Sequence, residues 1–164
     1  MDSQDDYSQG PQPRAPEVED LVKLCRRLNA LGARYIVVGG MAIIQSGYLR
    51  ATEDIDLLID TELDNEAKVY EALKILPDQA VRELQPGEVS QYTVVRVADE
   101  IVVDLMKSAC GINYDEARSG ISVIEVDGVP IPIASPELLW RMKQTGREKD
   151  SLDLIFLREL LNKK

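Results

Sequence analysis

Histidine is absent from the 164 residues of this chain, and cysteine occurs only twice. Without histidine the protein cannot use a serine–histidine or cysteine–histidine mechanism, and histidine-ligated metal sites are excluded as well. Cys25 and Cys110 lie far apart in the sequence, so they form neither a zinc-binding pattern nor an evident disulfide framework. Any metal chemistry must therefore use oxygen ligands, which favours Mg²⁺ or Mn²⁺.

Long apolar runs are missing too. No run approaches the roughly 20 residues that a bilayer-spanning helix needs. The polar, acidic start MDSQDDYSQGPQPRAP does not have the features of a secretory signal. We therefore expect no membrane partner and, by default, a cytoplasmic location.

Positive charge is scarce, since 19 lysines and arginines stand against 29 acidic residues and the net charge is -10. Such a field repels a polyanion, which disfavours a protein that follows a nucleic-acid backbone. The apolar fraction of 45% is that of an ordinary globular protein, and the length suits one domain with a sizeable core.

The pattern along the chain predicts a tail followed by one domain. Residues 1–15 are rich in Asp, Gln, Ser and Pro, and we expect a disordered acidic tail there and a single domain over residues 16–164. Apolar spacing and turn residues predict helices at 16–31, 41–46, 64–76, 135–145 and 147–161. Strands are predicted at 34–38, 54–59, 91–97, 100–106, 121–126 and 129–133. This order predicts the α/β (α+β) class, with a small mixed sheet, helices packed on it and a C-terminal helical pair.

Local signals add detail to this outline. Asp64 or Asn65 can cap the third helix. Residues 107–119 show no periodic pattern and are expected to be irregular. Prolines at positions 130 and 132 restrict the strand that contains them to a sheet edge. In the last helix, apolar spacing assigns the inner face to Leu152, Ile155, Phe156 and Leu160.

Two aspartates one residue apart, Asp54 and Asp56, open the predicted strand DIDLLI. Side chains alternate faces along a strand, so both project from the same side. Acidic residues are depleted in strands, and two on one face repel each other. A solvated sheet face is the ordinary explanation, although Leu57, Leu58 and Ile59 continue as a buried run. Divalent cations would remove the repulsion.

A third aspartate, Asp104, interrupts the apolar strand EIVVDLM. A carboxylate there is costly to bury without a partner. A salt bridge with Lys107 or Arg96 is one explanation, and a role as metal ligand or general base is the other. If this strand lies beside that of Asp54 and Asp56, three carboxylates converge. Such a cluster suits two divalent cations and the phosphates of a nucleotide.

Gly39 and Gly40 stand between the strand YIVV and a short helix. Glycines at such a junction let the backbone approach a phosphate closely, and a helix N-terminus adds bare N–H donors. A tight turn chosen for packing is the other explanation. The chain has neither the Gly-Lys-Ser/Thr of a P-loop nor the G-x-G-x-x-G of a dinucleotide site.

Basic residues flank these motifs. Arg50 and Thr52 precede the acids and could contact a triphosphate or a substrate, although Arg50 could equally be a surface loop residue. Lys143 and Arg147 are four residues apart and could share a helix face. Arg147 and Asp150 could instead form an ordinary intrahelical pair.

Together these residues resemble a known family. The stretch VVGGMAIIQSGYLRATEDIDLLID, with the pattern GG-x13-D-I-D, is similar to the nucleotidyltransferase superfamily of the DNA polymerase β-like fold. More narrowly, it resembles the abortive-infection AbiEii-type branch and its small uncharacterised relatives. The later DLM strand and the closing pattern K-x3-R-x-K-D-x2-D agree, and the resemblance covers residues 17–162.

The resemblance implies a single nucleotidyltransferase domain and a role for each motif. The turn at residues 39–40 would hold the triphosphate. Asp54 and Asp56 would be the two metal-binding carboxylates and Asp104 the third, with catalysis depending on all three. Lys143 would help to hold the nucleotide phosphates.

The implied activity is metal-dependent transfer of a nucleoside monophosphate from an NTP such as ATP to an acceptor hydroxyl, with release of pyrophosphate. Two Mg²⁺ or Mn²⁺ ions would serve as cofactors. The acceptor would be a partner protein, a tRNA or a small molecule. The alternative is a non-catalytic or weakly catalytic nucleotide-binding partner in a toxin–antitoxin-type two-protein module. A structural domain whose acids are simply solvated is the remaining interpretation.

Overall fold

Six strands form one mixed sheet in the computed structural model, which describes residues 12–163. In chain order these strands are β1 (Tyr35–Val38), β2 (Asp54–Ile59), β3 (Val94–Ala98), β4 (Val102–Met106), β7 (Ile121–Val126) and β8 (Val129–Ala134). A separate two-stranded ribbon consists of β5 (Ser108–Ala109) and β6 (Ile112–Asn113).

Helices and short 3-10 turns connect and cover these strands. The α-helices are α1 (Val18–Ala30), α2 (Gly39–Gln45), α3 (Leu63–Leu73), α4 (Glu88–Gln91), α5 (Tyr114–Ala117), α6 (Pro136–Met142) and α7 (Ser151–Asn162). The 3-10 turns are Ala80–Glu83, Arg118–Gly120 and Glu148–Asp150. The predicted fold class is confirmed, including the C-terminal pair of α6 and α7, which pack on each other.

The strand order of the sheet is β3-β4-β2-β1-β8-β7. Strand β2 lies in the middle, antiparallel to β1 and parallel to β4, and β3 pairs antiparallel with β4 at the edge. Helix α1 packs on β8 and α3, whereas α2 contacts β1, β2 and α6. The central position of β2 matters because it carries two of the three candidate carboxylates.

Helix α1 follows the predicted apolar spacing and buries Leu21, Leu24, Cys25 and Leu28 among other residues. Its start is fixed by Asp20, whose carboxylate accepts the backbone N–H of Glu17 at 2.7 Å. Asp20 also pairs with Arg14 at 2.7 Å, and the backbone N–H of Arg14 donates to the carbonyl of Glu100 at 2.9 Å. Residues 12–15 have no regular secondary structure. The predicted tail at residues 1–15 otherwise lies outside the described residues.

Asn65 was a candidate cap for α3, but it lies inside the helix and is fully buried, and Glu62 occupies the N-cap position. Its side-chain oxygen accepts the backbone N–H of Arg34 at 2.6 Å, and its amide nitrogen donates to the carbonyls of Arg34 and Asp60 at 2.9 and 2.7 Å. Asn65 therefore ties the segment before β1 to the end of β2. This contact between distant segments carries no local sequence signal.

The expectation that Pro130 and Pro132 restrict their strand to a sheet edge was wrong. Strand β8 lies between β1 and β7, and β7 is the edge strand. Successive residues of a strand direct their N–H groups to opposite neighbouring strands, so residues 130 and 132 face the same neighbour. Both prolines therefore lack an N–H donor on the same side of β8. The ladder with β7 has six partner pairs, whereas that with β1 has the single pair Val37–Ile133. The missing donors therefore shorten the β1 ladder without preventing it.

Two further expectations need correction. Residues 107–119 are not irregular, because they form the β5–β6 ribbon and α5. In α7, Leu152 and Ile155 are 63% and 53% exposed, whereas Asp153 and Leu157 are buried. Phe156 packs against the core, as predicted, and stacks on Tyr48. The first turn departs from the apolar pattern, since there the carboxylate of Asp153 lies between Arg50 and Lys143.

No helix of residues 12–163 combines the length and the apolar character needed to cross a bilayer.

Candidate active site

Three carboxylates converge on the central strands. Strands β2 and β4 run parallel, and their register sets Asp56 directly opposite Asp104, with Asp54 two residues earlier on the same face. One oxygen from each of the three side chains lies within 4.8 Å of the others. Asp104 is buried, and Asp54 and Asp56 are half-buried. The sequence predicted that the three carboxylates would converge if the strand of Asp104 lay beside that of Asp54 and Asp56, and the two strands are neighbours.

Arg96 on β3 faces this cluster from the neighbouring strand, where it is the cross-strand partner of Asp104. Its Nε donates to Asp104 Oδ1 at 2.9 Å and its Nη2 donates to Asp104 Oδ2 at 3.0 Å. The same Nη2 lies 3.2 Å from Asp54 Oδ2. The salt bridge considered for Asp104 thus exists with Arg96, whereas Lys107 donates to the carbonyl of Ser90 instead.

The cluster is electrostatically unfavourable on its own. Burial raises the pKa of Asp56 to about 8, with repulsion from Asp54 and Asp104 as further causes. Burial and the charge of Asp104 also raise the pKa of Asp54. Closely spaced carboxylates in a partly buried site cannot all ionise without a compensating positive charge. Three oxygen-donating carboxylates are also the ligands that hard divalent cations prefer, so this residue set fits Mg²⁺ or Mn²⁺.

Gly39 and Gly40 begin α2 directly beside the carboxylates. Gly39 has a φ of +67°, and a Cβ added there would overlap the carboxylate of Asp56. A Cβ on Gly40 would overlap the hydroxyl of Thr52 and approach the guanidinium of Arg50. The two glycines are therefore required by the side chains around them.

Arg50 and Thr52 lie in the segment that leads into β2. Thr52 is buried, and its hydroxyl donates to the carbonyl of Asp54 at 3.2 Å. The Nη2 of Arg50 donates to Oδ2 of Asp153 on α7 at 3.1 Å. Arg50 is thus fixed at the wall of the cleft by a buried acid and is not a free loop residue.

Lys143 approaches from the end of α6. Its ammonium lies 3.0 Å from Asp150 Oδ1 and 3.1 Å from Asp153 Oδ2, and both acids are buried. Asp150 also accepts from the hydroxyl of Thr145 at 2.6 Å and from Nε of Arg147 at 2.8 Å. Although burial opposes it, the hydrogen bonds from Thr145 and Lys143 lower the pKa of Asp150. The pair Arg147–Asp150 therefore exists, but within a larger network.

Asp150 and Asp153 are the residues that sequence reasoning missed as members of the site. The spacing signal was present in the pattern K-x3-R-x-K-D-x2-D, but it does not show that the two acids are buried beneath the basic residues. Asp153 is shared by Arg50 and Lys143, so it joins the segment before β2 to the end of α6.

A cavity of about 580 Å³ brings these groups together. Its carboxylate wall is formed by the cluster on β2 and β4. A second part of the lining, the basic wall, consists of Arg50, Lys143, Arg147 and Lys149, of which the first three pair with Asp150 or Asp153. The lining residues include Gly40, Arg50, Thr52, Asp54, Asp56, Arg96, Asp104, Lys143, Arg147 and Lys149. Of the residues predicted from the sequence, all line this cavity except Gly39, which lines the adjoining one.

Two smaller cavities adjoin the central one. A cavity of about 220 Å³ shares Asp56 and Lys143 with it and is walled mainly by apolar side chains, namely Val38, Val94, Met106, Ala109, Leu139 and Met142. A cavity of about 390 Å³ shares Glu53, Asp54 and Arg96 with the central cavity and extends towards Pro13–Ala15. The cleft therefore has an apolar arm at one end of the carboxylate cluster and a polar arm at the other.

Replacing Gly39 by alanine should weaken Mn²⁺ binding at least about tenfold, because the new methyl group displaces the Asp56 carboxylate. Gly32→Ala is the matched control, since Gly32 has a similar φ of +73° and no atom within 4 Å of an added Cβ. Both variants should lose about 1 kcal/mol of stability from backbone strain. Titration calorimetry with Mn²⁺ measures the difference, and equal affinities for Gly39→Ala and the wild type would contradict the assignment.

Asp56 should give the metal-free protein a defined pH dependence. Its pKa rises from 3.8 in the free side chain to about 8 in the folded chain, mainly through burial. The folded state therefore holds a proton that the unfolded state has lost, and the free energy of unfolding falls as the pH rises from 3.8 to about 8. The Asp56→Asn variant stays neutral and should escape this loss.

Denaturant unfolding in EDTA at several pH values checks this expectation. No histidine titrates in the same range, because the chain has none. The stability advantage of Asp56→Asn over the wild type should grow with pH, while Asp115→Asn, at a residue whose side chain is 80% exposed, should show no such trend. An advantage that does not change with pH would refute the assignment of the shift to Asp56.

Comparisons with known proteins place this geometry in a structural context. No protein-family model matches the chain, and no curated protein matches it in sequence. Solved structures do match it. TM1012 of Thermotoga maritima, provisionally assigned as a nucleotidyltransferase, has a TM-score of 0.56 and 17% identity, with 90% of this chain and 93% of the other covered.

Two further structures agree. The lincosamide antibiotic adenylyltransferase LnuA, solved with lincomycin bound, has a TM-score of 0.59 and 16% identity over 88% of this chain and 98% of its own. An antigenic nucleotidyltransferase-like protein from Paracoccidioides brasiliensis has a TM-score of 0.50 and 20% identity over 90% and 78% of the two chains. This likeness does not single out the AbiEii-type branch. It does establish that the chain has the nucleotidyltransferase fold that its motifs predicted.

Proposed function

We propose that this protein is a metal-dependent nucleotidyltransferase that moves a nucleoside monophosphate from an NTP to an acceptor hydroxyl. The observation that carries the proposal is the convergence of one oxygen each from Asp54, Asp56 and Asp104 within 4.8 Å, beside a diglycine turn and in a cavity that basic side chains also line. The fold shared with TM1012 and LnuA supports the same activity.

The three carboxylates would hold two Mg²⁺ or Mn²⁺ ions. Asp54 and Asp56 would contribute to both, and Asp104 to the one nearer the acceptor. When bound, such ions neutralise phosphate charge and stabilise the attacking and leaving oxygens. Asp104 would also assist removal of the hydroxyl proton. The acceptor oxygen then bonds to the α-phosphorus, the bond between that phosphorus and the α–β bridging oxygen breaks, and pyrophosphate leaves.

The phosphates would lie between the diglycine turn and the basic wall. The backbone at Gly39 and Gly40 would receive the β- and γ-phosphates, and Lys143 and Arg50 would supply positive charge. Asp153 holds both of these basic side chains in place before any ligand binds, since its Oδ2 lies 3.1 Å from Nη2 of Arg50 and 3.1 Å from Nζ of Lys143. Positioned charges of this kind provide most of the catalysis in phosphoryl and nucleotidyl transfer.

The apolar arm of the cleft suits the nucleoside. It borders Gly39 and Asp56 but neither Asp54 nor Asp104, so it opens beside the phosphates and away from the carboxylate assigned to the acceptor. Met106 and Met142 offer thioether surfaces of the kind that pack well against aromatic rings. We assign the base and ribose to this arm.

The acceptor would enter through the polar arm, which borders Asp54 and Arg96. LnuA is an adenylyltransferase for lincosamide antibiotics, which favours ATP as the donor and a small hydroxyl compound as the acceptor here. A tRNA acceptor is disfavoured by the net charge of -10, and a partner protein remains the third class to test. The toxin–antitoxin alternative corresponds to nucleotide binding without transfer.

Incubation with α-labelled ATP, Mg²⁺ and a panel of tRNA, proteins and small hydroxyl compounds tests the proposed function. We expect transfer of label to one class, and Asp56→Asn and Asp104→Asn should each reduce it at least about a hundredfold, because each removes a metal-binding charge. Asp115→Asn is the control for a loss of acidic charge elsewhere. Nucleotide binding without transfer to any acceptor would support the non-catalytic alternative, and absence of both nucleotide and Mn²⁺ binding would refute the proposal.

Ala109→Trp tests the assignment of the nucleoside. The larger side chain should fill the apolar arm and weaken ATP binding about tenfold or more, while leaving the affinity for inorganic tripolyphosphate unchanged. Val123→Trp, at a residue 67% exposed on the edge strand β7, is the control for the new tryptophan. Calorimetry in the presence of Mn²⁺ measures both affinities. Equal weakening of ATP and tripolyphosphate would show that the arm does not hold the nucleoside.

A further inference from the structure

Arg96 is the cation in direct contact with the carboxylate cluster. No other lysine or arginine in residues 12–163 forms an ion pair with Asp54, Asp56 or Asp104, since Lys143 pairs with Asp150 and Asp153. The hydrogen bonds with Asp104, together with its charge, raise the pKa of Arg96 further above its already high value, so the guanidinium is always charged.

The guanidinium spans two carboxylates that would share an ion. Its Nε and Nη2 occupy both oxygens of Asp104, at 2.9 and 3.0 Å, and Nη2 also reaches Oδ2 of Asp54 at 3.2 Å. Arg96 therefore occupies lone pairs on both oxygens of Asp104, the carboxylate assigned to the ion nearer the acceptor. Its contacts offset part of the repulsion between Asp104 and Asp54.

A divalent ion bound by Asp104 and Asp54 would compete with this guanidinium for the same carboxylate oxygens. Like charges about 4 Å apart repel strongly in a partly desolvated site. The side chain of Asp104 is 7% exposed and is held by a central strand, whereas that of Arg96 is 59% exposed on the edge strand β3. Arg96 is consequently the partner that can move, and it regains hydration when it does.

Arg96 also stands at the junction between two cavities. The central cavity and the polar arm share Glu53, Asp54 and Arg96 as lining residues. A guanidinium that bridges Asp104 and Asp54 narrows this junction. Its withdrawal from the carboxylates would widen the route from the polar arm to Asp104.

We propose that Arg96 is a positioning residue that holds Asp104 and Asp54 in the ion-free protein and yields its place when the ion nearer the acceptor binds. This inference rests on the proposed function, because it takes the cluster to be the metal centre. Metal loading then opens the acceptor side of the cleft, and the same residue stabilises the protein while the metal is absent.

Mn²⁺ titration of EDTA-treated, dialysed protein tests the exchange. Removing the competing charge in Arg96→Gln should tighten Mn²⁺ binding about tenfold relative to the wild type. Arg118→Gln is the matched control, because it removes the same charge from an exposed pair with Asp115 on another part of the surface, and it should leave the affinity unchanged. Arg96→Lys keeps the charge but loses the two-point contact, and should bind Mn²⁺ with intermediate affinity.

Thermal unfolding gives a second readout. In EDTA, Arg96→Gln should have a lower Tm than Arg118→Gln, since Asp104 and Asp54 are left without the cation that contacts them. Saturating Mn²⁺ should raise the Tm of Arg96→Gln by more than it raises that of the wild type.

The outcomes separate this inference from the proposed function. Mn²⁺ binding by Arg96→Gln and Arg96→Lys that is equal to or weaker than in the wild type overturns the exchange, because Arg96 would then serve to hold Asp104 in its binding orientation. The proposed function survives that result if the wild type still binds Mn²⁺ and transfers label. Absence of Mn²⁺ binding in the wild type and both Arg96 variants overturns both.

Discussion

Repulsion among three carboxylates on adjoining strands is the constraint around which the rest of the site is arranged. The register of β2 and β4 fixes Asp56 opposite Asp104, so the acids cannot separate without breaking the sheet. Residue 39 is a glycine because a Cβ there would overlap the carboxylate of Asp56. Among residues 12–163, Arg96 supplies the one basic side chain that forms an ion pair with the cluster. Apolar burial stabilises the fold, whereas the carboxylate cluster at its centre is electrostatically unfavourable. Such clusters are common at functional sites.

In the basic wall of the cavity, acidic side chains support basic ones. There the acids, Asp150 and Asp153, are buried beneath basic side chains and direct them towards the cavity. Arg50 and Lys143 come from separate segments and meet on one oxygen of Asp153. Under the proposed function, a triphosphate in this cavity would meet basic side chains that are already held in position by Asp150 and Asp153.

The sequence allowed the strand-borne part of the site to be predicted, because alternation along β2 alone puts Asp54 and Asp56 on one face. Whether Asp104 joins them depends on which strand lies beside β2, and strand order is set by packing of the whole sheet. The position of β8 was mispredicted for a related reason, since Pro130 and Pro132 remove donors towards one neighbour without excluding that neighbour. The inner face of α7 was mispredicted at Leu152 and Ile155, which are exposed, because the buried acid Asp153 faces inward in the same turns. The ion pairs of Asp153 join residues as far apart as 103 positions, which no local signal reveals.

The placement of Asp153 also bears on how the protein is made. The carboxylate that contacts both Arg50 and Lys143 belongs to α7, which follows all of the strands described above, while the diglycine turn and Asp56 precede most of them. During synthesis the early strands can emerge and pair before Asp153 is present to hold Arg50 and Lys143 together. The walls of the central cavity therefore reach their final arrangement only after α7 has emerged and packed.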